Sequence, residues 1–284
     1  MHPVLINLGF YQIPTYGVLL YSGIVLAIFL ASRRARLLGL PGARIMDLGA
    51  WVVLWGLLGS KILLAITDPS YLTSLFGLWG LLRAGGVFYG GLIAALAAAV
   101  VLLRRYQLPF MQVADVLAPS VALGHFFGRL GCFSAGCCYG RACSASLGVV
   151  FTNPLANQIS GTPLGVSIYP TQLYEAAFNL TNYVFLAWLF RRRLAPGSVL
   201  GAYLVAYGIA RFIIEFFRGD PDRGFVLGGV LSTSQAIAAV MVPVGVGILI
   251  WAHKRHDAVQ NAKGKMQNDE TNAASVLPGP GFSF

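Results

Sequence analysis

Arg129 and Arg141 stand among glycines and cysteines in the segment GRLGCFSAGCCYGR, Gly128 to Arg141. Arg211, Glu215 and Arg218 stand in the apolar stretch RFIIEFFR. A charge at the centre of a membrane helix costs about 2.5–3.5 kcal/mol on insertion scales, so charges within apolar runs persist chiefly for function or at the interface. Guanidiniums present planar forks of N–H donors that match phosphate oxygens. Several of them beside lipid predict an anion site, and a phospholipid phosphate is the first candidate. Arg211 and Glu215 are spaced i, i+4, and Glu215 and Arg218 i, i+3, so the three share one helix face. One glutamate cannot neutralise two arginines, and an external anion would complete the balance. The competing reading is a structural ion pair inside a bundle.

A proton acceptor is also needed if this site does chemistry. His125 lies one turn before Arg129 on the same face and is the first candidate base, or else a histidine hydrogen-bonded between helices. Tyr89, in GGVFYGG, is the second. It is the weaker of the two, because a free phenol with a pKa of about 10 is rarely ionised at neutral pH. Tyr16, Tyr174 and Gln172 are candidates to line the substrate pocket, although most tyrosines near span ends belong to an aromatic belt. Glu175 in YPTQLYE follows a proline suited to a helix start, where the helix dipole favours a carboxylate. That structural role is sufficient to account for it.

The four cysteines, Cys132, Cys137, Cys138 and Cys143, occupy one short stretch with spacing C-x4-C-C-x4-C. The paired CxxC of zinc sites is missing, and a metal is not expected. Small residues packed at a bend, a disulfide on an outer face, or reactive thiols at Cys132, Cys137 and Cys138 near an arginine remain as readings.

These residues must be positioned by membrane helices. The chain has 284 residues, 57% hydrophobic and 11% charged, against about 25% charged in soluble domains. The fold class expected is all-α, a polytopic membrane bundle. Seven apolar runs are long enough to span, at about 14–32, 46–66, 86–103, 113–135, 172–190, 197–217 and 227–252. The net charge of +10 does not indicate nucleic acid, because the basic residues gather at the ends of apolar runs. Arg33, Arg34, Arg36, Arg44, Arg104, Arg105, Arg191, Arg192, Arg193, Lys254, Arg255, Lys263 and Lys265 all fall in alternate loops, thirteen of the twenty Lys and Arg. The positive-inside rule makes those loops cytoplasmic, with the N-terminus out and the C-terminus in. Residues 1–255 form one membrane domain, and the polar tail 256–284 is expected to be disordered. The long polar segment 136–171 reads as a functional or flexible outer loop. No cleavable signal peptide and no internal repeat are evident. Lys61 and Asp115 are intramembrane charges that are candidates to pair with each other.

The two arginine segments, with YPTQLYE (169–175) and FYGG (88–91), resemble the prolipoprotein diacylglyceryl transferase family over about residues 10–252. The resemblance implies a multi-pass enzyme of the bacterial cytoplasmic (inner) membrane. It implies transfer of the diacylglyceryl group of phosphatidylglycerol to the cysteine thiol of a lipobox-containing preprolipoprotein, with release of glycerol-1-phosphate and no cofactor. The family's arginines match Arg129, Arg141, Arg211 and Arg218, and its glutamate Glu215. Where the family pattern has polar residues, this chain has Cys132, Ala135 and Cys137. Tyr89 and Tyr169 stand at its histidine positions, and Lys61 stands at an arginine position. These departures leave three alternatives open: a paralogue with another acceptor, a lipid-binding protein without chemistry, and a transporter.

Overall fold

The computed structural model describes residues 2–9, 12–144, 148–220 and 224–276. A short antiparallel hairpin, β1 (Val4–Asn7) with β2 (Gln12–Pro14), leads into α1 (Thr15–Leu37). Then follow α2 (Gly42–Thr67), α3 (Leu75–Arg83), α4 (Phe88–Arg105) and α5 (Phe110–Ala135). Beyond α5 come β3 (Val149–Val150), α6 (Pro154–Ser160) and β4 (Ser167–Ile168), then α7 (Thr171–Arg191) and α8 (Ser198–Glu215). A last hairpin, β5 (Phe225–Val226) with β6 (Leu231–Ser232), opens into α9 (Thr233–Val276).

Among the described residues, six helices are long and apolar enough to cross a membrane: α1, α2, α4, α5, α8 and the part of α9 over Thr233–Ala262. The expected seventh span, 172–190, is the helix α7, but it falls short in hydropathy. Gln172, Glu175, Asn179 and Asn182 are buried on its inner face, while Leu180, Val184, Phe185 and Trp188 are exposed on the other. The polar residues that lower its hydropathy are those that face the bundle.

The helices pack as pairs: α1 on α5, α2 on α4, α5 on α7, and α8 on α9. Close approach in the α2–α4 pair depends on glycine, since a Cβ on Gly59 would fall 2.5 Å from the Gly90 carbonyl oxygen. The main core joins Ala31, Ile45, Leu48, Val113, Val116, Leu186, Phe190 and Val199. Many other apolar side chains point outward, Val25, Ile66, Ile93 and Val240 among them. In a membrane protein such faces meet lipid tails.

Lys61 and Asp115 do not pair. Lys61 Nζ donates to the carbonyls of Leu81, Leu82 and Ala84, closing the C-terminal end of α3. Asp115 accepts from Gly197 N at 2.7 Å and Leu200 N at 2.8 Å, capping the start of α8 from across the bundle. Each charge satisfies a helix end whose backbone groups have no intrahelical partner.

The segment 136–171 is more than a loop. Its strands and α6 close over a small core of Tyr139, Phe151, Ala156 and Ile168. Thr162 is fully buried and donates to Gly136 O at 2.9 Å. Of the tail 256–284, the part up to Val276 continues α9, consistent with its good helix formers (Ala, Lys, Gln, Met), and 277–284 lie outside the described residues.

Candidate functional site

The charged cluster sits where the C-terminal ends of α5 and α8 meet the N-terminal ends of α7 and α9. That end of the bundle is opposite to the one carrying Arg33, Arg104, Arg105 and Arg191. Glu175, from the first turns of α7, is its hub. Its Oε1 lies 3.0 Å from Arg129 Nη2, and its Oε2 lies 3.9 Å from Arg211 Nη1. Arg211 Nη1 lies 2.8 Å from Glu215 Oε2, which in turn lies 3.7 Å from Arg218 Nη1. Arg218 closes the run by forking onto Asp220, with Nε donating to Oδ1 at 2.9 Å and Nη2 to Oδ2. Tyr207 Oη donates to Glu175 Oε1 at 3.4 Å, and Arg211 Nη2 donates to Ser234 Oγ at 2.8 Å. The two glutamate side chains are 3% and 2% exposed, whereas that of Arg129 is 20% exposed, so the cluster opens at Arg129.

The arginines therefore converge, but their charge balance differs from the expectation. Among the described residues, Arg129, Arg211 and Arg218 face Glu175, Glu215 and Asp220, a formal sum of 3 − 3 = 0. The deficit inferred from a single glutamate is filled by Glu175 and Asp220. Glu175 resembled an ordinary dipole residue because a short first-turn motif carries no depth information. The polar stripe Glu175, Asn179, Asn182, at i, i+4 and i+7 of an apolar helix, was the signal available for it.

Arg141 joins through its backbone. Arg141 N donates to Phe217 O at 2.9 Å, Tyr169 N to Arg141 O at 3.1 Å, and Gly219 N to Tyr139 O at 3.1 Å. This stitches residues 139–141 between the start of α7 and the end of α8. Gly140 is required here, since a Cβ would lie 2.3 Å from Tyr169 O. The Arg141 side chain is exposed and has no ion-pair partner among the described residues.

His125 is also brought to the cluster. Its ring lies 5.1 Å from that of Tyr207, and its buried Nδ1 has no hydrogen-bond partner among the described residues. Tyr89 is not brought there. It is 46% exposed at the start of α4, on the α2–α4 pair, whereas the cluster is built from α5, α7, α8 and α9. Gln172 Nε2 donates to Cys137 O at 2.8 Å, and its buried Oε1 has no hydrogen-bond partner among the described residues. Tyr174 is half-buried near Cys143 and Tyr169. Tyr16 packs over Gly131, whose Cβ would meet its Cδ2 at 2.8 Å.

Helix α5 ends at Gly136, in the left-handed region at φ 88°, and Cys138 follows at φ 57°. Thr171 Oγ1 donates to Cys138 O at 2.9 Å, and with Gln172 it pins this bend to α7. The fold closes C-x4-C-C so that the sulfurs of Cys132, Cys137 and Cys138 all lie within 4.8 Å of one another. All four cysteines are free, and Cys143 Sγ lies apart, 3.8 Å from Ser167 Oγ. Hydrogen bonding from Cys132 and Cys137 holds the Cys138 thiol below the usual thiol range, with Arg129 and Arg218 adding to the effect.

The sequence profile of the family described as prolipoprotein diacylglyceryl transferase matches residues 3–251. A phosphatidylglycerol–prolipoprotein diacylglyceryl transferase of Clostridium tetani is 35% identical over 247 residues, 87% of this chain and 96% of that protein. A protein of the same name from Vibrio atlanticus is 35% identical, over 89% of this chain and 91% of that protein. The one numbered 2 in Clostridium perfringens is 34% identical, over 84% and 90% respectively.

Proposed function

This chain belongs to the prolipoprotein diacylglyceryl transferase family, and from that premise we propose how it works. It transfers the diacylglyceryl group of phosphatidylglycerol to the cysteine thiol of a lipobox-containing preprolipoprotein and releases glycerol-1-phosphate. The observation that supports the site is the continuous run Arg129–Glu175–Arg211–Glu215–Arg218, built from helices far apart in sequence.

In this reading the phosphodiester enters at Arg129 and Arg141. With Asp220 at its end the run is formally neutral among the described residues, and Arg141 adds one positive charge, which matches the single charge of a phosphodiester. Glu175 and Glu215 hold the guanidiniums of Arg129, Arg211 and Arg218 before substrate arrives. As the glyceryl C–O bond breaks, negative charge grows on the leaving phosphate, and fixed donors in a water-poor cleft stabilise it without reorganising. One such donor is worth roughly 10²–10³ in rate. His125, beside Arg129, is the base for the acceptor thiol.

The basic loops support a cytoplasmic setting for the opposite end of the bundle. The cluster then opens at the outer leaflet of the bacterial inner membrane, where an exported preprolipoprotein and phosphatidylglycerol meet.

The test is reconstitution of the full chain in phosphatidylglycerol vesicles with a lipobox peptide. The reading expects lipidated peptide and glycerol-1-phosphate in equal amounts, and neither with a Cys→Ser peptide. Phosphatidylglycerol binding without release of glycerol-1-phosphate would refute it.

A further inference from the structure

We propose that Cys132, Cys137 and Cys138 form a three-thiolate site for a thiophilic divalent ion of the zinc class, whose open fourth position takes the acceptor thiol. The proposal rests on the transferase reading for the identity of that thiol, though not for the ion itself.

The geometry is near to what such an ion requires. With zinc–sulfur bonds of about 2.3 Å, three ligand sulfurs stand about 3.8–4.0 Å apart. Here all three lie within 4.8 Å of one another, so binding needs a contraction of no more than about an ångström. The bend that brings them together is held from outside. Thr171 and Gln172 grip the carbonyls of Cys138 and Cys137, and Gly136 N donates to Cys132 O at 2.9 Å. Cys138 itself sits at φ 57°, a conformation unfavourable for a residue with a side chain. Three thiolates around a divalent ion carry a net charge of 2 − 3 = −1. Arg129, one turn before Cys132 on α5, is a cation on the same helix face as that charge.

The three cysteines are only half-buried, so a fourth ligand can reach the ion. A three-ligand site with an open position is the arrangement of catalytic rather than structural zinc. A thiol that coordinates such an ion loses its proton outright. The acceptor thiol would therefore bind as thiolate, and its proton passes to His125, the base of the transfer reading. The thiolate sulfur then forms the C–S bond to the glyceryl carbon as the C–O bond to phosphate breaks. The phosphate departs with that bond's electron pair. No oxidant or reductant is involved. The ion would make its thiolate beside the arginines that hold the leaving group.

The experiment uses full-length protein purified in detergent. Zinc content is measured, and Co²⁺ is then exchanged in as a spectroscopic probe. The expected result is one equivalent of zinc and a thiolate-to-cobalt charge-transfer band, both lost in Cys138→Ser and Cys132→Ser and both retained in Cys143→Ser. Adding a peptide with a free cysteine should shift the cobalt bands, and its serine analogue should not. Helix content by circular dichroism separates loss of the site from loss of the fold. Less than a tenth of an equivalent of zinc in folded protein, or a disulfide between these cysteines by mass spectrometry, overturns the proposal. Stoichiometric metal with bands indifferent to the cysteine peptide overturns the role in thiol activation. Metal and peptide effects without lipid transfer would leave this site standing and refute the transferase reading instead.

Discussion

Arg129 Nη2 lies 3.0 Å from Glu175 Oε1, and Glu175 reaches Arg211 with its other oxygen, so one carboxylate ties α5 and α8 to α7. Breaking a buried pair from one side leaves an uncompensated charge, which costs about 3–5 kcal/mol. Glu175→Gln should therefore lower thermal stability in detergent and abolish lipid transfer together. Glu175→Asp keeps the charge but shortens the reach, and should recover stability more than rate. Differential scanning of helix loss, run beside a glycerol-1-phosphate release assay, separates the two.

The open end of the cluster is Arg129. Arg129→Ala should reduce kcat/KM for transfer about 10²–10³-fold with helix content unchanged. Arg129→Lys should recover little, because an ammonium lacks the planar fork. Full activity in Arg129→Ala would remove this residue from the phosphate site.

Gly140 is a steric prediction. An added Cβ would lie 2.3 Å from Tyr169 O and 2.9 Å from Phe217 O, both backbone atoms that cannot rotate aside. Gly140→Ala should push residues 139–141 away from 217–219 and misplace Arg141 and Arg218 together. The expected cost is about 1–3 kcal/mol, with loss of phosphatidylglycerol binding. Normal binding by Gly140→Ala would show that this stitch does not position the site.

Asp115 predicts the opposite division. It accepts from Gly197 N and Leu200 N at the far end of the bundle from the arginines. Asp115→Ala leaves two backbone donors without their acceptor, at about 1–3 kcal/mol each. Thermal stability should fall while transfer per folded molecule is kept. Hydrogen exchange should rise first in the initial turn of α8.

The sequence by itself determined that this is a helical membrane bundle and which arginines stand inside apolar runs. Apolar runs about 20 residues long have few alternatives in lipid, and charges inside them are too costly to be incidental. GR-x-G, FYGG and RFIIEFFR also carried the family relationship, because such motifs are local in the chain. Tertiary structure decided the partners. The polar stripe through Glu175 is legible in the sequence, but only the packing of α7 turns it inward onto the arginines, and that same stripe keeps α7 below the hydropathy of a spanning helix. Tyr89, already the weaker candidate base, lies apart from the cluster because α4 packs against α2. Lys61 and Asp115 proved to be caps, each meeting carbonyls or amides distant in sequence. The three sulfurs have no recognisable ligand spacing, yet a bend with positive φ at Gly136 and Cys138 leaves them within 4.8 Å of one another. Periodicity and motif spacing report what a helix exposes, while ion pairing and sulfur geometry depend on which helix ends meet, and only the packed bundle specifies that.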